Sequence, residues 1–300
     1  MPVIAVFGPT ASGKSAVALE LAELAGGEIV SADAMQLYRG LPILTNQPSA
    51  TDMERFPHHL VGIWEPDHEG SVAEYAELAH AAIDDIIRRG RVPIACGGSG
   101  LYLRAALADM PLPPQAQAGV RAAAERLYDE RGPVGAHATL AAVDAPAAAA
   151  VHPNDRRRVV RALELADSGH SLAAEDSLLW SAETRHPTVI AGLALPPAET
   201  ARRIAARTEA MFAAGVVEEV RSARARHIFS STAERIHGLQ DVTALLAGDI
   251  TLAEAIRRME TRTRRYAKRQ RTWMRRLPEV RVVDATRDAG AVAGDIAGWA

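Results

Sequence analysis

The first segment able to do chemistry is Gly8–Ser15, with the sequence Gly-Pro-Thr-Ala-Ser-Gly-Lys-Ser. It fits the phosphate-binding pattern G-x-x-x-x-G-K-[ST] and lies between an apolar run at 2–7 and a helical pattern, the context that the pattern requires. In such a loop, backbone N–H groups and the helix N-terminus bind phosphate oxygens, the lysine reaches between phosphates, and the next hydroxyl ligates Mg²⁺. The sequence therefore predicts a di- or triphosphate site, with Ser15 as metal ligand, formed by Gly8, Pro9, Thr10, Ala11, Ser12, Gly13, Lys14 and Ser15.

A carboxylate follows the second predicted strand, since Asp33 comes directly after Ile-Val-Ser-Ala at 29–32. Doubly wound folds bind ligands at the carboxyl ends of their parallel strands. Asp33 is thus a candidate to hold Mg²⁺ through water or to accept a proton from an attacking group. The alternative is a cap for a helix predicted over 34–38. A second acid of the kind that ATP-hydrolysing enzymes use is not evident, which argues against a motor protein.

The densest charge lies at 257–276, where ten Lys and Arg residues accompany a single acid, Glu260. A solvated helix face usually mixes both signs, so this stretch predicts contact with nucleic-acid phosphates. A weaker basic cluster occupies 156–161. Three further arginines have the spacing to share one helix face, where they suit either a diphosphate or solvent: Arg202, Arg203 and Arg207.

The overall composition limits the class of protein. The 300 residues carry 34 Lys and Arg against 37 Asp and Glu, and 48% are hydrophobic, as in an ordinary globular protein of one large or two small domains. A run of about 18 uncharged apolar residues is absent from the sequence, so we expect no membrane span. The single cysteine, Cys96, cannot form an internal disulfide, and the N-terminus lacks a basic leader. These features predict a cytoplasmic protein.

Apolar runs and helical patterns alternate along most of the chain. This order predicts an α/β fold, a P-loop NTPase-like parallel sheet wrapped by helices, with an inserted all-helical subdomain. The predicted strands are 2–7, 28–32, 92–96, 188–195 and 280–283. The predicted helices of the sheet domain include 14–25, one that Ser71 and Glu74 cap, one that begins at Gly100, and long segments at 197–226 and 252–276.

The amino-acid composition changes at two points along the chain, and these changes predict the domain boundaries. A proline-rich stretch near 111–114 introduces an Ala- and Arg-rich region with few β-branched residues. We therefore predict a P-loop core with C-terminal basic helices at 1–110 and 187–284, an inserted helical subdomain at 111–186, and a tail at 285–300.

Several segments together, over roughly 3–280, resemble the tRNA dimethylallyltransferases, also called tRNA isopentenyltransferases. The order and spacing of the segments match the family, and the set is more specific than the phosphate loop alone. The segments are 8–15, Ser-Ala-Asp-Ala-Met-Gln-Leu-Tyr-Arg-Gly at 31–40, Gly-Gly-Ser-Gly-Leu-Tyr at 97–102, His-Pro-Asn-Asp-Arg-Arg at 152–157, Arg203-Ile204 with Arg207 and Met211, and Tyr-Ala-Lys-Arg-Gln with Thr-Trp at 266–273.

The resemblance implies transfer of a dimethylallyl group from dimethylallyl diphosphate to N6 of the adenosine on the 3′ side of a tRNA anticodon. It implies that Asp33 is the general base, and that Thr10 and Lys14 hold the diphosphate with Mg²⁺ on Ser15. Arg207 would neutralise the leaving diphosphate, as electrostatic stabilisation of a charged leaving group requires. The catalytic residues implied are thus Asp33, Thr10 and Arg207.

The resemblance also implies a tRNA surface. The target base must leave the stacked anticodon loop to reach Asp33. The inserted subdomain would clamp the anticodon stem-loop, and the enzyme is expected to act as a monomer. The tRNA-binding residues implied are Asp33, Ala34, Met35, Gln36, Ser99, Arg121, Arg157, Arg158, Arg161, Arg235, His237, Gly238, Gln240, Lys268 and Arg269.

Three positions depart from the family pattern. Ile43–Pro48 replaces the usual Gly-Thr-Ala-Lys-Pro, Ile236–Leu239 replaces Ile-Gly-Tyr, and Ser99 replaces a common threonine. Two other functions fit part of the sequence. A small-molecule P-loop kinase with Asp33 as base would explain the loop but not the basic stretch, and an RNA-binding module that holds a regulatory nucleotide would leave Asp33 without a task.

Overall fold

The computed structural model describes residues 1–110, 112, 119–173 and 179–300. The chain forms two compact units. One comprises Met1–Ala108 and Ala182–Ala300, and the other comprises Asp109–Ser181. The insertion is therefore narrower than the predicted 111–186, because 182–187 packs with the first unit: Arg185 N–H donates to Leu107 O (2.8 Å), and the Arg185 and His186 side chains pair with Asp84.

The first unit is built on a six-stranded sheet with the order β3-β2-β4-β1-β5-β6, in which all pairs are parallel. The predicted fold class is thus confirmed. Parallel strands covered by helices on both faces are apolar throughout, as the fully buried Val-Ile-Ala-Val-Phe of β1 is. The strands are β1 Val3–Phe7, β2 Gly27–Ser31, β3 His58–His59, β4 Val92–Gly97, β5 Thr188–Ala194 and β6 Arg281–Asp284.

Helices connect the strands and form the second unit. Those of the first unit are α1 Lys14–Ala25, α2 Pro42–Thr45, α3 Ala50–Arg55, α4 Val72–Arg88, α5 Gly100–Leu107, α9 Pro197–Ala213, α10 Val216–Arg226, α11 Leu239–Leu246, α12 Leu252–Met274 and α13 Ala289–Ala297. Those of the second unit are α6 Val120–Val143, α7 Ala145–Ala150 and α8 Arg156–Asp167. None of the helices in these described ranges has the length and apolarity to cross a membrane.

Local sequence explains most element ends. The Ser71 side chain accepts the Glu74 N–H and so begins α4, as predicted. Gly215, with a φ of 96°, divides the predicted helix 197–226 into α9 and α10. The predicted helix over 34–38 is wrong, because this segment forms turns that run into a bridge between Tyr38 and Trp64.

The prediction that 285–300 is a tail is also wrong. α13 packs on α1, and its residues Val292, Ala293 and Ile296 belong to the core beside Val17 and Leu21. The spacing of those three residues places them on one helix face, which buries apolar area against α1. In the second unit the described elements are helical, and their core includes Ala136, Leu140, Val159 and Val160.

Candidate active site

The phosphate loop forms a tight turn between β1 and α1. Ala11 and Gly13 have φ angles of 65° and 87°, and the Lys14 ammonium donates to Pro9 O at 3.0 Å. Gly8 is required by close packing, since a Cβ there would lie 2.9 Å from Ser12 Oγ and 3.0 Å from Leu193 Cβ. The loop leads directly into the N-terminus of α1. The N-terminus of a helix favours phosphate oxygens.

A cavity of about 390 Å³ opens beside this loop. Residues from the loop, from the segment after β2, from the end of β4 and from α9 and α12 line it together. The lining is Thr10, Ala11, Gly13, Lys14, Ser15, Ala16, Asp33, Met35, Gln36, Leu44, Thr45, Asn46, Cys96, Gly97, Arg203, Arg207, Thr208, Met211, His237, Met259, Thr263, Tyr266 and Gln270. The structure thus brings the predicted phosphate loop, Asp33 and Arg207 to one space.

Asp33 is the carboxylate of this cavity. Its Oδ1 accepts the Met35 backbone N–H at 3.0 Å, and burial raises the pKa of the carboxyl above its ordinary value. The Met35 hydrogen bond and the positive charges of Lys14 and Arg207 act in the opposite direction and lower that pKa. Asp33 is therefore a buried acid that is oriented by its own backbone and faces two cations.

The two cations are themselves desolvated. Burial lowers the pKa of Lys14 and that of Arg207, and the negative charge of Asp33 raises both. Arg207 Nε is buried and lacks a hydrogen-bond partner in the described structure. A buried N–H group without a hydrogen-bond partner is costly unless a ligand supplies one. Cys96, whose thiol pKa burial raises to about 11, lies nearby as an uncharged wall residue.

The cavity lining also contains apolar side chains, and it includes residues from two of the three regions that depart from the family pattern. Met35, Met211 and Met259 line it, together with Leu44 of α2. The Glu219 carboxylate anchors α2 by accepting the N–H groups of Ile43 (2.7 Å) and Leu44 (2.8 Å).

His237 lies on the Tyr266 ring with a centroid separation of 4.4 Å. Burial lowers the pKa of His237 to about 4, so the ring is neutral near pH 7. It therefore contributes an uncharged aromatic surface to the cavity.

The oxygen donors in the cavity suit Mg²⁺ only in combination with a ligand. Groups of three or more His, Cys, Asp or Glu side chains that would hold a metal do not occur among the described residues. The Ser15 hydroxyl and the Asp33 carboxylate line the same cavity. Mg²⁺ commonly binds one or two protein oxygens and completes its shell with phosphates and water.

The remaining predicted tRNA residues of the first unit do not belong to the cavity lining, but some of them contact residues that do. Ser99 Oγ is 3.4 Å from Ala34 N and 3.2 Å from the Tyr266 hydroxyl. Gln240 accepts from Arg262, and Gly238 approaches Met259 so closely that a Cβ would lie 2.6 Å from its Cε. Three others are Arg235, which lies in a short 3₁₀ turn, and Lys268 and Arg269, which are exposed on α12.

Two of the predicted tRNA residues of the inserted unit belong to one ion-pair cluster. Glu164, whose side chain is 6% exposed, binds Arg121 at 3.4 Å and Arg161 at 3.2 Å. Two of the four predicted arginines are thus already engaged by a buried carboxylate. Arg157 is exposed at the start of α8, and Arg158 N–H donates to the capping Asp155.

Comparison with known proteins decides the family. The IPP transferase model matches residues 36–277, and the isopentenyl transferase model matches residues 1–59. The chain belongs to the IPP transferase family. This membership confirms the resemblance and makes the chain a prenyltransferase.

Individual relatives of this IPP transferase match over nearly the whole chain. A tRNA dimethylallyltransferase of Anaeromyxobacter dehalogenans is 43% identical over 98% of this chain and 96% of its own. The solved tRNA isopentenylpyrophosphate transferase of Bacillus halodurans has a TM-score of 0.72 at 33% identity, over 99% of this chain and 95% of its own. A eukaryotic dimethylallyltransferase acting on tRNA has a TM-score of 0.77 at 26% identity, over 95% and 74%.

Some cavity residues of this IPP transferase were not predicted as site residues. Gln270 is the most important, because its side chain contacts the phosphate loop itself. Met211, Tyr266 and Gln270 lie in segments that carry the resemblance, which is a signal that they have a role. For Thr263 and Met259 on α12, the only available signal is the helical repeat that places them on the face of Tyr266 and Gln270.

Proposed function

We propose that this IPP transferase moves a dimethylallyl group from dimethylallyl diphosphate to N6 of the adenosine 3′-adjacent to a tRNA anticodon, giving N6-(dimethylallyl)adenosine. One observation carries the proposal: a phosphate loop, a buried carboxylate and apolar side chains share one cavity. A prenyl diphosphate has an anionic end and an apolar end, and the cavity lining has cationic groups for the first and apolar side chains for the second.

The diphosphate end belongs at the loop. Backbone N–H groups there, with the α1 N-terminus behind them, favour an anion. Lys14 and Arg207 add two positive charges to the cavity lining, and their partial burial strengthens electrostatic stabilisation of an anion. A diphosphate would also supply the partner that the Arg207 Nε lacks.

The transfer itself needs a base opposite the leaving group. The N6 lone pair attacks C1 of the dimethylallyl group, the bond from C1 to the diphosphate oxygen breaks, and its electron pair leaves on the diphosphate. The proton lost from N6 passes to the Asp33 carboxylate. Thr10 lies at the loop beside these groups, where its hydroxyl contacts the diphosphate.

Magnesium has a place in this proposal. Ser15 would hold Mg²⁺, Asp33 of the same cavity would contribute through water, and the ion would neutralise charge on the diphosphate. This assignment is supported by the oxygen-donor chemistry of the two side chains.

The tRNA would bind across the basic face of α12. Several cations there have no acidic partner among the described contacts of the helix: Arg265, Lys268, Arg269 and Arg275. The adenine must be turned out of the anticodon loop to enter the cavity, and the neutral His237–Tyr266 pair offers it an aromatic surface. We propose that the protein acts as a cytoplasmic monomer and that the inserted unit contacts the anticodon stem.

The product of the reaction tests this function. Purified protein, Mg²⁺, dimethylallyl diphosphate and an unmodified tRNA with adenosine next to the anticodon should yield N6-(dimethylallyl)adenosine by mass spectrometry of the digested RNA. A tRNA with guanosine at that position is the matched control and should give no product. Absence of the alkylated nucleoside, together with ATP-dependent phosphorylation of a small molecule, would instead support a P-loop kinase.

A further inference from the structure

The Gln270 side chain links α12 to the phosphate loop. Its Oε1 accepts the Thr10 backbone N–H at 2.7 Å, and its Nε2 donates to Gly98 O at 2.8 Å. Gln270 is 3% exposed, and its bond to Gly98 O is buried, while its bond to Thr10 N–H is part-buried. The amide orientation follows from chemistry, because a backbone N–H only donates and a carbonyl oxygen only accepts. One side chain of the RNA-facing helix therefore holds the loop against the end of β4.

The same face of α12 makes two more contacts with the turn that follows β4. The Tyr266 hydroxyl is 3.2 Å from Ser99 Oγ, and a Cβ at Gly100 would lie 2.2 Å from the Trp273 ring. Residues four and three positions apart on a helix share a face, so Tyr266, Gln270 and Trp273 contact the turn together. Glycine is required at 98 as well, since a Cβ there would lie 2.2 Å from Gln270 Nε2. Through this close packing, the position of α12 and the position of the turn depend on one another.

The other face of α12 carries the exposed cations. Lys268 and Arg269 immediately precede Gln270 in the chain and are exposed, and Arg265 lies about one turn earlier. We expect phosphates bound on this face to favour the observed placement of the helix, in which Gln270 accepts the Thr10 N–H. A diphosphate bound in the loop favours the same placement from the other side. Two ligands that both favour one arrangement bind with positive cooperativity.

We propose that Gln270 is a positioning residue that couples RNA binding on α12 to diphosphate binding in the loop. This inference rests on the proposed function, because it requires RNA on the basic face. Gln270 acts through Thr10 and does not itself contact the reacting atoms. Coupling of this kind is reciprocal, so it can be measured from either ligand.

The test uses ligands that do not react with one another. The dissociation constant of an unmodified anticodon stem-loop RNA is measured without and with saturating inorganic diphosphate and Mg²⁺, at constant ionic strength. The full-length wild-type protein should bind the RNA about five- to tenfold more tightly when diphosphate is present. Gln270→Met keeps a similar volume but removes both hydrogen bonds. For this variant the ratio of the RNA dissociation constants without and with diphosphate should fall to about one. Thr272→Ala, an exposed change on the same helix, is the control and should keep the wild-type ratio.

Hydrogen exchange supplies a second measurement. RNA binding should slow exchange in the peptide that contains Thr10 in wild-type protein, but not in Gln270→Met. A wild-type RNA affinity that does not respond to diphosphate overturns the inference even if Gln270→Met fails to fold. A folded Gln270→Met protein with the wild-type ratio overturns it as well.

The product assay separates the two proposals. If wild-type protein makes the alkylated nucleoside but shows no coupling, only the inference about Gln270 fails. If the alkylated nucleoside does not form, the proposed function fails.

Discussion

The Asp33 carboxylate accepts a 3.0 Å hydrogen bond from the backbone N–H of Met35, two residues further along the chain. This local hydrogen bond closes a turn and leaves the acid in the cavity, while Met35 contributes an apolar side chain to the lining. The sequence allows Asp33 to be either a cap or a base. The structure favours the second, because no helix directly follows Asp33 and the bond from Met35 N–H orients the carboxylate and leaves its other oxygen for a proton.

The pH dependence of alkyl transfer should follow the ionisation of Asp33. A base must be deprotonated to act, and burial raises the Asp33 pKa above the ordinary value of 3.8. The single-turnover rate should therefore fall as the pH is lowered, and the fall should begin above that value. His237, with a pKa lowered to about 4, stays neutral through most of this range. A rate that stays level down to pH 4 would contradict this assignment.

Replacement of Lys14 by arginine should lower the activity. Its buried ammonium fits inside the loop and donates to Pro9 O, and a planar guanidinium needs more room. We expect Lys14→Arg and Lys14→Met each to lower kcat/KM for dimethylallyl diphosphate by about a hundredfold or more. Lys268→Arg is the matched control on the exposed face of α12 and should retain nearly full activity. An active Lys14→Arg enzyme would show that charge alone suffices.

Cations on α12 should differ in their effect on RNA affinity according to whether they have an acidic partner. Lys268→Gln or Arg265→Gln should lower the slope of log Kd against log salt by about 0.7–0.9 for each RNA phosphate that the side chain no longer neutralises. Arg258 forms an ion pair with Glu254, so Arg258→Gln should change the slope much less. Filter binding or fluorescence anisotropy at salt concentrations between about 50 and 300 mM measures the slopes. If the slope of log Kd against log salt is the same for all three variants, the RNA does not bind on this face of α12.

The Glu28 carboxylate should stabilise the sheet at neutral pH. Hydrogen bonds from Arg89 and His59 lower its pKa from 4.5 to about 2. A depressed folded-state pKa gives stability that is present above about pH 4.5 and is lost as the pH falls towards 2. Glu28→Gln should therefore lower the free energy of unfolding by about 1–3 kcal/mol at pH 7, and by progressively less under acid.

The control for Glu28 is Glu218→Gln, which removes an exposed ion pair with Arg221. That change should alter stability by less than about 1 kcal/mol. Urea unfolding at pH 7 and pH 3 measures both variants. A Glu28→Gln deficit of the same size at the two pH values would show that the effect comes from packing and not from the charge.

The sequence predicts those parts of the site that are encoded locally. The phosphate loop, the strand before it and Asp33 are each contiguous with the element that positions them, so a single segment determines both the side chain and its place. The fold class follows for the same reason, since alternating buried strands and amphipathic helices specify a parallel sheet.

Features that depend on contacts between residues far apart in the chain are harder to predict from the sequence. Gln270 reaches Thr10 across 260 residues, and its carboxamide has no distinguishing pattern on a helix full of arginines. The pairing of Arg121 and Arg161 with Glu164 is also tertiary, and it changes their expected role from free RNA ligands to members of a cluster. α13 is not predicted from the sequence, because a short Ala- and Gly-rich segment has little helical stability of its own and depends on packing of its apolar face against α1.

The most direct test of the account is the single-turnover rate of N6 alkylation by Asp33→Asn at saturating tRNA and dimethylallyl diphosphate. Asparagine keeps the shape and the Met35 hydrogen bond but cannot accept the proton. We expect a rate at least about a hundredfold below wild type, with diphosphate affinity retained. A wild-type rate in Asp33→Asn would contradict the assignment of Asp33 as the base.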